Sequence, residues 1–228
     1  MPRDTLTRDQ IVRTAVDLLD ADGLEGLNMR ALGKRLDSAA TAVYWHVKNK
    51  DNLVLLATDQ VWSELTLPDL DAAHWREAAT TMATDLYQMF TQHPWLVQVL
   101  AAHLVYGEGK ARHDDHLLAV YETAGFTPDR ADRATAAVFT YVLGNAAGAA
   151  ATASLTRKLV QADEPATAEQ RLQDVMAKAH DVAKNYPRLR ARLETPAATG
   201  YATAPESTFE FGLQSLLDGL ERQLSTQP

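Results

Sequence analysis

Apolar residues recur along this chain at helical spacing almost from end to end. Ile11, Ala15, Leu18 and Leu19 make one stripe, and Thr7 with Gln10 three residues later is a capping box that starts a helix there. Leu6 and Ile11 stand where a hydrophobic staple would put them, and Gly23 supplies a C-cap glycine. A short second helix is predicted from Met29 to about Leu36, capped by Asn28, with Met29, Leu32 and Leu36 facing inward. Asp37-Ser38 reads as a turn, and a third short helix covers about Ala40 to His46. Asn49 then caps a long helix carrying Leu53, Leu56, Ala57 and Val61, closed by Leu67-Pro68-Asp69. Longer, more acidic helices follow over 72–92, 94–105, 111–124, 128–156, 167–184 and 206–224, punctuated by Gly107, Gly109, Gly125, Pro128, Pro165, Pro187 and Pro196. Residues 185–205, with Gly200, read as a long loop. In the last helix Phe209, Leu213, Leu216, Leu217, Leu220 and Leu224 keep one face apolar. No run alternates with period two between turn residues and no repeat stands out, so the fold class is all-α.

Composition narrows this picture. The chain has 228 residues, 46% apolar and 23% charged, which suits one large domain or two smaller ones and excludes wholesale disorder. It has no cysteine, so disulfides and thiolate chemistry are out. The start, Met1-Pro2-Arg3-Asp4-Thr5-Leu6, has no apolar run of the secretory kind, and a cytoplasmic address is expected. Ala134 to Leu155 is 22 residues without a charge, with Gly144 and Gly148 in a GxxxG spacing. That run is mostly Ala, Thr and Gly, too weakly apolar for insertion, so it reads as a buried helix allowing close helix approach and not as a membrane span.

Charge is split unevenly. The net value is −8, which argues against binding nucleic acid, yet residues 1–50 hold eight Lys/Arg against seven Asp/Glu, and the rest holds fourteen against twenty-three. Attraction to phosphate depends on the local face, so an acidic body with a near-neutral head is compatible with DNA binding by the head. The two short helices over Asn28 to His46, joined by a tight turn, carry the helix-turn-helix signature, whose second helix lies in the major groove.

Met29-Arg30-Ala31-Leu32 and Tyr44-Trp45-His46-Val47-Lys48-Asn49-Lys50 sharpen the signature. On these residues the chain resembles the TetR (tetracycline repressor-like) family of one-component regulators over about 7–55, with a weaker likeness beyond. The resemblance implies an all-α homodimer with a three-helix DNA-binding head, here 1–52, and a ligand-binding and dimerisation body, here 53–228. At the matching positions, Tyr44, Trp45 and His46 would touch phosphates and bases.

The residues themselves agree with that implication. Arg30 can reach a guanine as a bidentate donor or hold a phosphate, and Thr41 can contact a base edge, a phosphate or merely cap its helix. A helix cannot bury Tyr44, Trp45 and His46 on one stripe, so at least one faces outward, while Val43 and Val47 are core. Lys48 and Lys50 flank Asn49 at a helix N-terminus, a ready phosphate site. Asp37 and Ser38 replace the usual turn glycine and apolar neighbour, and Ala39 and Ala40 put methyls where other members place polar base readers. Methyls can meet thymine methyls, and DNA shape supplies more of the readout.

In the body, Met82, Leu86, Met89, Phe90, Leu100, His103, Tyr106, Phe139 and Tyr141 are candidate walls of an apolar cavity for an apolar or amphipathic effector. Gly144, Gly148, Phe209, Leu213, Leu216, Leu217 and Leu220 are candidates for a four-helix dimer interface, with intrachain packing as the alternative. Trp95 and Met89 belong to the same scattered set of large side chains. Tetracycline itself does not fit, because Thr66 stands where that branch of the family has its magnesium-binding histidine. His113-Asp114-Asp115-His116 puts two histidines on one helix face, but no third ligand is assignable, and neither metal nor cofactor is expected. The sequence lacks a Gly-rich phosphate loop, a nucleophile elbow and HExxH, so an enzyme is disfavoured. The expected function is a ligand-responsive repressor released from a palindromic operator. The alternative is a helical adaptor docking protein through the 40–46 helix.

Overall fold

A computed structural model of the chain describes residues 6–161, 168–194 and 206–225. Within them lie α1 (Arg8–Gly26), α2 (Met29–Arg35), α3 (Ala40–Val47), α4 (Lys50–Ser63), α5 (Trp75–Gln92), α6 (Trp95–Ala102), α7 (Glu108–Thr123), α8 (Pro128–Gln161), α9 (Ala168–Ala183), α10 (Pro187–Leu193) and α11 (Glu206–Ser225). No strand occurs among the described residues, and the fold is all-α.

The local signals act as the sequence predicts at most helix starts. The Thr7 side chain accepts from the Gln10 N–H and the Gln10 side chain from the Thr7 N–H, so both halves of the capping box are made. Asn28 and Asn49 cap α2 and α4 by accepting from the Ala31 and Asn52 N–H groups at 2.9 and 2.7 Å. Gly23 breaks the regular helix with a non-helical backbone at φ 68°, where the sequence predicts a C-cap glycine, and one further turn runs on to Gly26. One expectation fails: the stretch after 185 is not all loop, because Pro187 at the first turn starts α10. Pro165, Pro196 and Gly200 lie outside the described residues.

The first three helices close over Ile11, Ala15, Leu19, Leu32, Val43 and Val47, all fully buried. Helix α4 packs on α1 and buries Val54 and Ala57, and Trp62, further along α4, is buried against Phe90, His113 and Phe139 of the body. The same helix therefore belongs to both cores, and residues 52 and 53, the expected domain boundary, lie inside it. In the body α8 buries Ala131, Ala134, Val138, Val142, Ala146 and Ala150. This helix is long and apolar enough to cross a membrane by length and composition alone. Its apolar stripe is nonetheless spent on the neighbouring helices α5 and α7.

Candidate functional site

The α2–α3 turn is built around a glycine that is not in the turn. Ser38 donates its N–H to the Gly33 carbonyl at 2.9 Å, and a Cβ on Gly33 would stand 2.7 Å from the Ser38 carbonyl oxygen. Asp37 then takes the left-handed conformation itself, at φ 46°, which aspartate tolerates better than most residues.

That turn aims α3. Val43 and Val47 point into the head's core, so positions 44 to 46 turn outward. Tyr44 is 49% exposed and Trp45 90%, and His46 is exposed beside them. Thr41, Tyr44 and Trp45 fall on one helix face by their spacing, and Lys48 follows as the C-cap at φ 63°. Ala39 is the N-cap, without a side-chain hydrogen bond, so the capping role offered for Thr41 is excluded: it is exposed in the first turn. Ala39, Lys48 and Arg30 are exposed, and Ala40 is half-buried against the core. Lys50 has an intrachain job, because its ammonium donates to the Leu24 carbonyl at 2.6 Å and ties the end of α1 to the start of α4. Two of its three donors remain for phosphate.

The body has the opposite character. Trp62 meets His113 edge-on at 5.1 Å between ring centroids, Phe90 at 6.2 Å, and Phe139 in a stacked arrangement at 6.4 Å. His113 is 2% exposed, and neither ring nitrogen has a hydrogen-bond partner among the described residues. The Trp62 indole N–H, the Tyr121 phenol and the Thr135 hydroxyl are also buried without hydrogen-bond partners among the described residues. Burial raises the Tyr121 pKa above its ordinary value. Beside His113, between α7 and α8, lies a cleft of about 240 Å³. Lys110 pairs with Asp114 there, its ammonium 5.3 and 5.7 Å from the ring centroids of Trp62 and Phe139. Burial pushes the Asp114 carboxyl up, but His113 and the Lys110 ammonium outweigh it and hold the group below its ordinary value.

Helix α4 is clamped to this cluster. Asp59 accepts from the Gly109 N–H at 2.8 Å, and Arg112 donates to the Ser63 and Leu65 carbonyls at 2.8 and 3.0 Å. A Cβ on Gly109 would stand 2.6 Å from the Asp59 carbonyl oxygen, so glycine sets the distance between α4 and α7. Head and body also meet at Asp20 of α1. One of its carboxylate oxygens lies 2.7 Å from His93 Nδ1 and accepts from the Trp95 indole N–H at 2.7 Å. His93 and Trp95 frame the α5–α6 corner.

Several expected site residues lie elsewhere. Of the proposed cavity walls, Phe139 lines the cleft and Phe90 packs edge-on against it. Met82 and Leu86 are plain core. Met89 lines a second cleft of about 260 Å³ with Asp85, whose pKa burial raises, and His93. Leu100 and His103 are half-buried near the end of α6. Tyr106 is 69% exposed. Tyr141 is a clamp and not a wall: its hydroxyl donates to the Thr208 and Phe209 carbonyls at 3.1 and 2.9 Å. Phe209, Leu213, Leu217 and Leu220 are buried within the chain, where Phe209 stacks on Tyr87 at 4.2 Å. Leu216 is half-buried, while Gly144 and Gly148 are exposed with open space around them.

The histidine pair also separates, because His116 Nε2 meets the Pro68 carbonyl at 2.8 Å while His113 turns into the aromatic cluster. Trp62, Thr135, Lys110 and Asp20 were missed in the sequence. His113 shares the α7 face of Leu117 and Val120, and a polar residue on an apolar stripe was the available signal.

Comparison with known proteins places these two regions. Residues 11–57 match the model of bacterial regulatory proteins of the tetR family, and residues 67–224 match that of the tetracyclin repressor-like C-terminal domain. A transcriptional repressor of Streptomyces coeruleorubidus, DrrR1, is 30% identical over 96% of this chain and 79% of its own length. A helix-turn-helix transcriptional regulator of Saccharopolyspora erythraea is 38% identical over 61% of this chain, and the match spans only 59% of that relative. The TetR-family protein ActR of Streptomyces coelicolor superposes with a TM-score of 0.71 as the apo form, at 25% identity over 98% of each chain. Its complex with (S)-DNPA gives 0.68 at the same identity, covering 96% and 98%.

Proposed function

The chain belongs to the TetR family of DNA-binding transcriptional regulators, and from that premise we propose that it is a homodimeric repressor released from a palindromic operator by a small effector. The observation that carries this reading is α3: two buried valines turn Tyr44, Trp45 and His46 outward as a contiguous aromatic face. In this reading Thr41, Tyr44, Trp45 and His46 approach the groove, Arg30 and Lys48 hold phosphates or base edges, and the methyls of Ala39 and Ala40 meet thymine. Head 1–52 and body 53–228 are the functional units, joined through α4.

Dimerisation uses the exposed small-residue face of α8, with Gly144 and Gly148, together with the outer face of α11 around Phe211, which is 77% exposed, and Leu216. Two α3 helices then meet successive major-groove turns about 34–36 Å apart. DNA favours one spacing of the heads, and effector in the body favours another. Asp20 and α4 are the two routes by which the body's state reaches α1 and α3. The dimer acts where operator DNA is, at the nucleoid. Footprinting on the chain's own upstream DNA tests the reading. Two protected, symmetry-related half-sites about one helical turn apart are expected. Uniform, sequence-independent protection contradicts it.

A further inference from the structure

We propose that the cleft between α7 and α8 binds a neutral hydroxyaromatic compound of one or two rings, its hydroxyl held between His113 and Thr135. This rests on the reading of the body as an effector domain and deepens it to a ligand class. Buried polar groups in proteins almost always have partners. Here two belong to residues lining one cleft, an imidazole with neither nitrogen hydrogen-bonded and a threonine hydroxyl likewise without a hydrogen-bond partner among the described residues, on α7 and α8. The Asp114 carboxylate is 3.6 Å from His113 Nδ1, an ion-pair contact too long for a hydrogen bond, which leaves Nε2 without a polar contact among the described residues. A neutral imidazole accepts at one nitrogen and donates at the other, and a threonine hydroxyl does both. A ligand hydroxyl also donates and accepts, so it satisfies both groups at once.

The remaining walls fix the rest of the ligand. Phe139, Leu117, Leu118 and Ala136 are apolar and suit an aromatic ring. The Lys110 ammonium is already paired with Asp114, and Asp132 adds a further carboxylate. No positive charge is left over for an anion, which selects a neutral phenol over a carboxylate. Size is set by volume: a cavity of about 150 Å³ takes benzene, and this cleft is about 240 Å³.

Calorimetry on the full-length protein with naphthol, naphthalene and naphthoate tests the proposal. Naphthol is expected to saturate, and naphthalene to bind about tenfold more weakly, the loss of one hydrogen-bonded group. Naphthoate is expected not to compete. Thr135→Val should weaken naphthol by a similar factor without changing naphthalene. Ala136→Trp, a plug at the exposed side, should abolish naphthol binding with the helical circular dichroism unchanged, and it serves where Thr135→Val fails to fold. Equal affinity for naphthol and naphthalene, an unchanged Thr135→Val, or no saturable heat at the naphthol solubility limit overturns the proposal. Anisotropy on upstream DNA with the same samples separates the two readings. Specific DNA binding without naphthol binding removes the ligand class alone, whereas loss of DNA specificity removes the regulator reading.

Discussion

Trp45 and Trp62 are the same residue in opposite predicaments. In the head, a finished core of valines, leucines and the chain's one isoleucine, Ile11, leaves a large aromatic ring facing outward on a helix only eight residues long. In the body, an aromatic core holds an indole N–H, an imidazole, a phenol and a hydroxyl with no hydrogen-bond partner among the described residues. Exposed aromatic surface and buried unpaired polar groups both raise the free energy of the isolated chain. Each points to a missing partner, outside the chain in the first case and inside it in the second. The two departures from ordinary burial thus point independently to the proposed DNA face and the proposed effector cleft, and Asp20 and α4 lie between them.

The same substitution applied to both regions gives the largest contrast. Trp62→Ala is expected to lower unfolding stability by about 3–5 kcal/mol, as for other buried aromatics. Trp45→Ala is expected to leave the urea midpoint within error and to weaken DNA binding at least about tenfold, because an exposed ring acts through its partner. A stability loss in Trp45→Ala comparable to that of Trp62→Ala would erase the distinction.

The joint comes next. Asp20→Ala leaves His93 Nδ1 and the Trp95 indole N–H without their shared acceptor. It should cost about 1–3 kcal/mol in chemical denaturation. It should also reduce the ability of effector to lower DNA affinity while leaving effector binding intact. Unchanged coupling in titrations of effector against the DNA complex would assign transmission to α4 alone.

A smaller effect of opposite sign is expected in the cleft. His113→Leu replaces an unpaired buried imidazole with an apolar group and should raise stability by about 1 kcal/mol, read as a higher urea midpoint with unchanged slope. A loss of stability would mean that His113 has a structural partner. The smallest effect is pH-dependent. Asp114 titrates below its ordinary value of 3.8, so its folded form binds fewer protons than the unfolded chain in that range. Its stabilising contribution is complete above that value and is lost as pH falls through the lower folded value. Melting of Asp114→Asn against wild type between neutral pH and acid should therefore show the difference shrinking on acidification.

The head was far more legible in the sequence than the body, for a physical reason. Capping residues act within four residues of one another, so Thr7, Asn28 and Asn49 announce α1, α2 and α4 by local chemistry alone. Val43 and Val47 fix the facing of α3 by periodicity, and the outward Trp45 follows. The body's cleft depends on which helices meet. Tyr141 and Phe139 sit two positions apart on α8, yet one clamps α11 and the other lines the cleft. Phe209, Leu213, Leu217 and Leu220 form an equally clear stripe, but periodicity does not say whether its partner is this chain or another. Gly33 was overlooked because its role is a backbone approach to Ser38, five residues away, that leaves no mark on hydrophobic pattern.

The central claim is that the outward face of α3 reads DNA. Fluorescence anisotropy of the full-length wild type and Trp45→Ala on the upstream duplex, with scrambled duplex as competitor across a salt series, tests it most directly. The account predicts sequence-dependent binding by wild type that weakens steeply with salt, and a loss of sequence preference in Trp45→Ala with much of the salt slope retained, since phosphate contacts supply the slope. Equal preference for the upstream duplex by both proteins, or none by wild type at low salt, would contradict it.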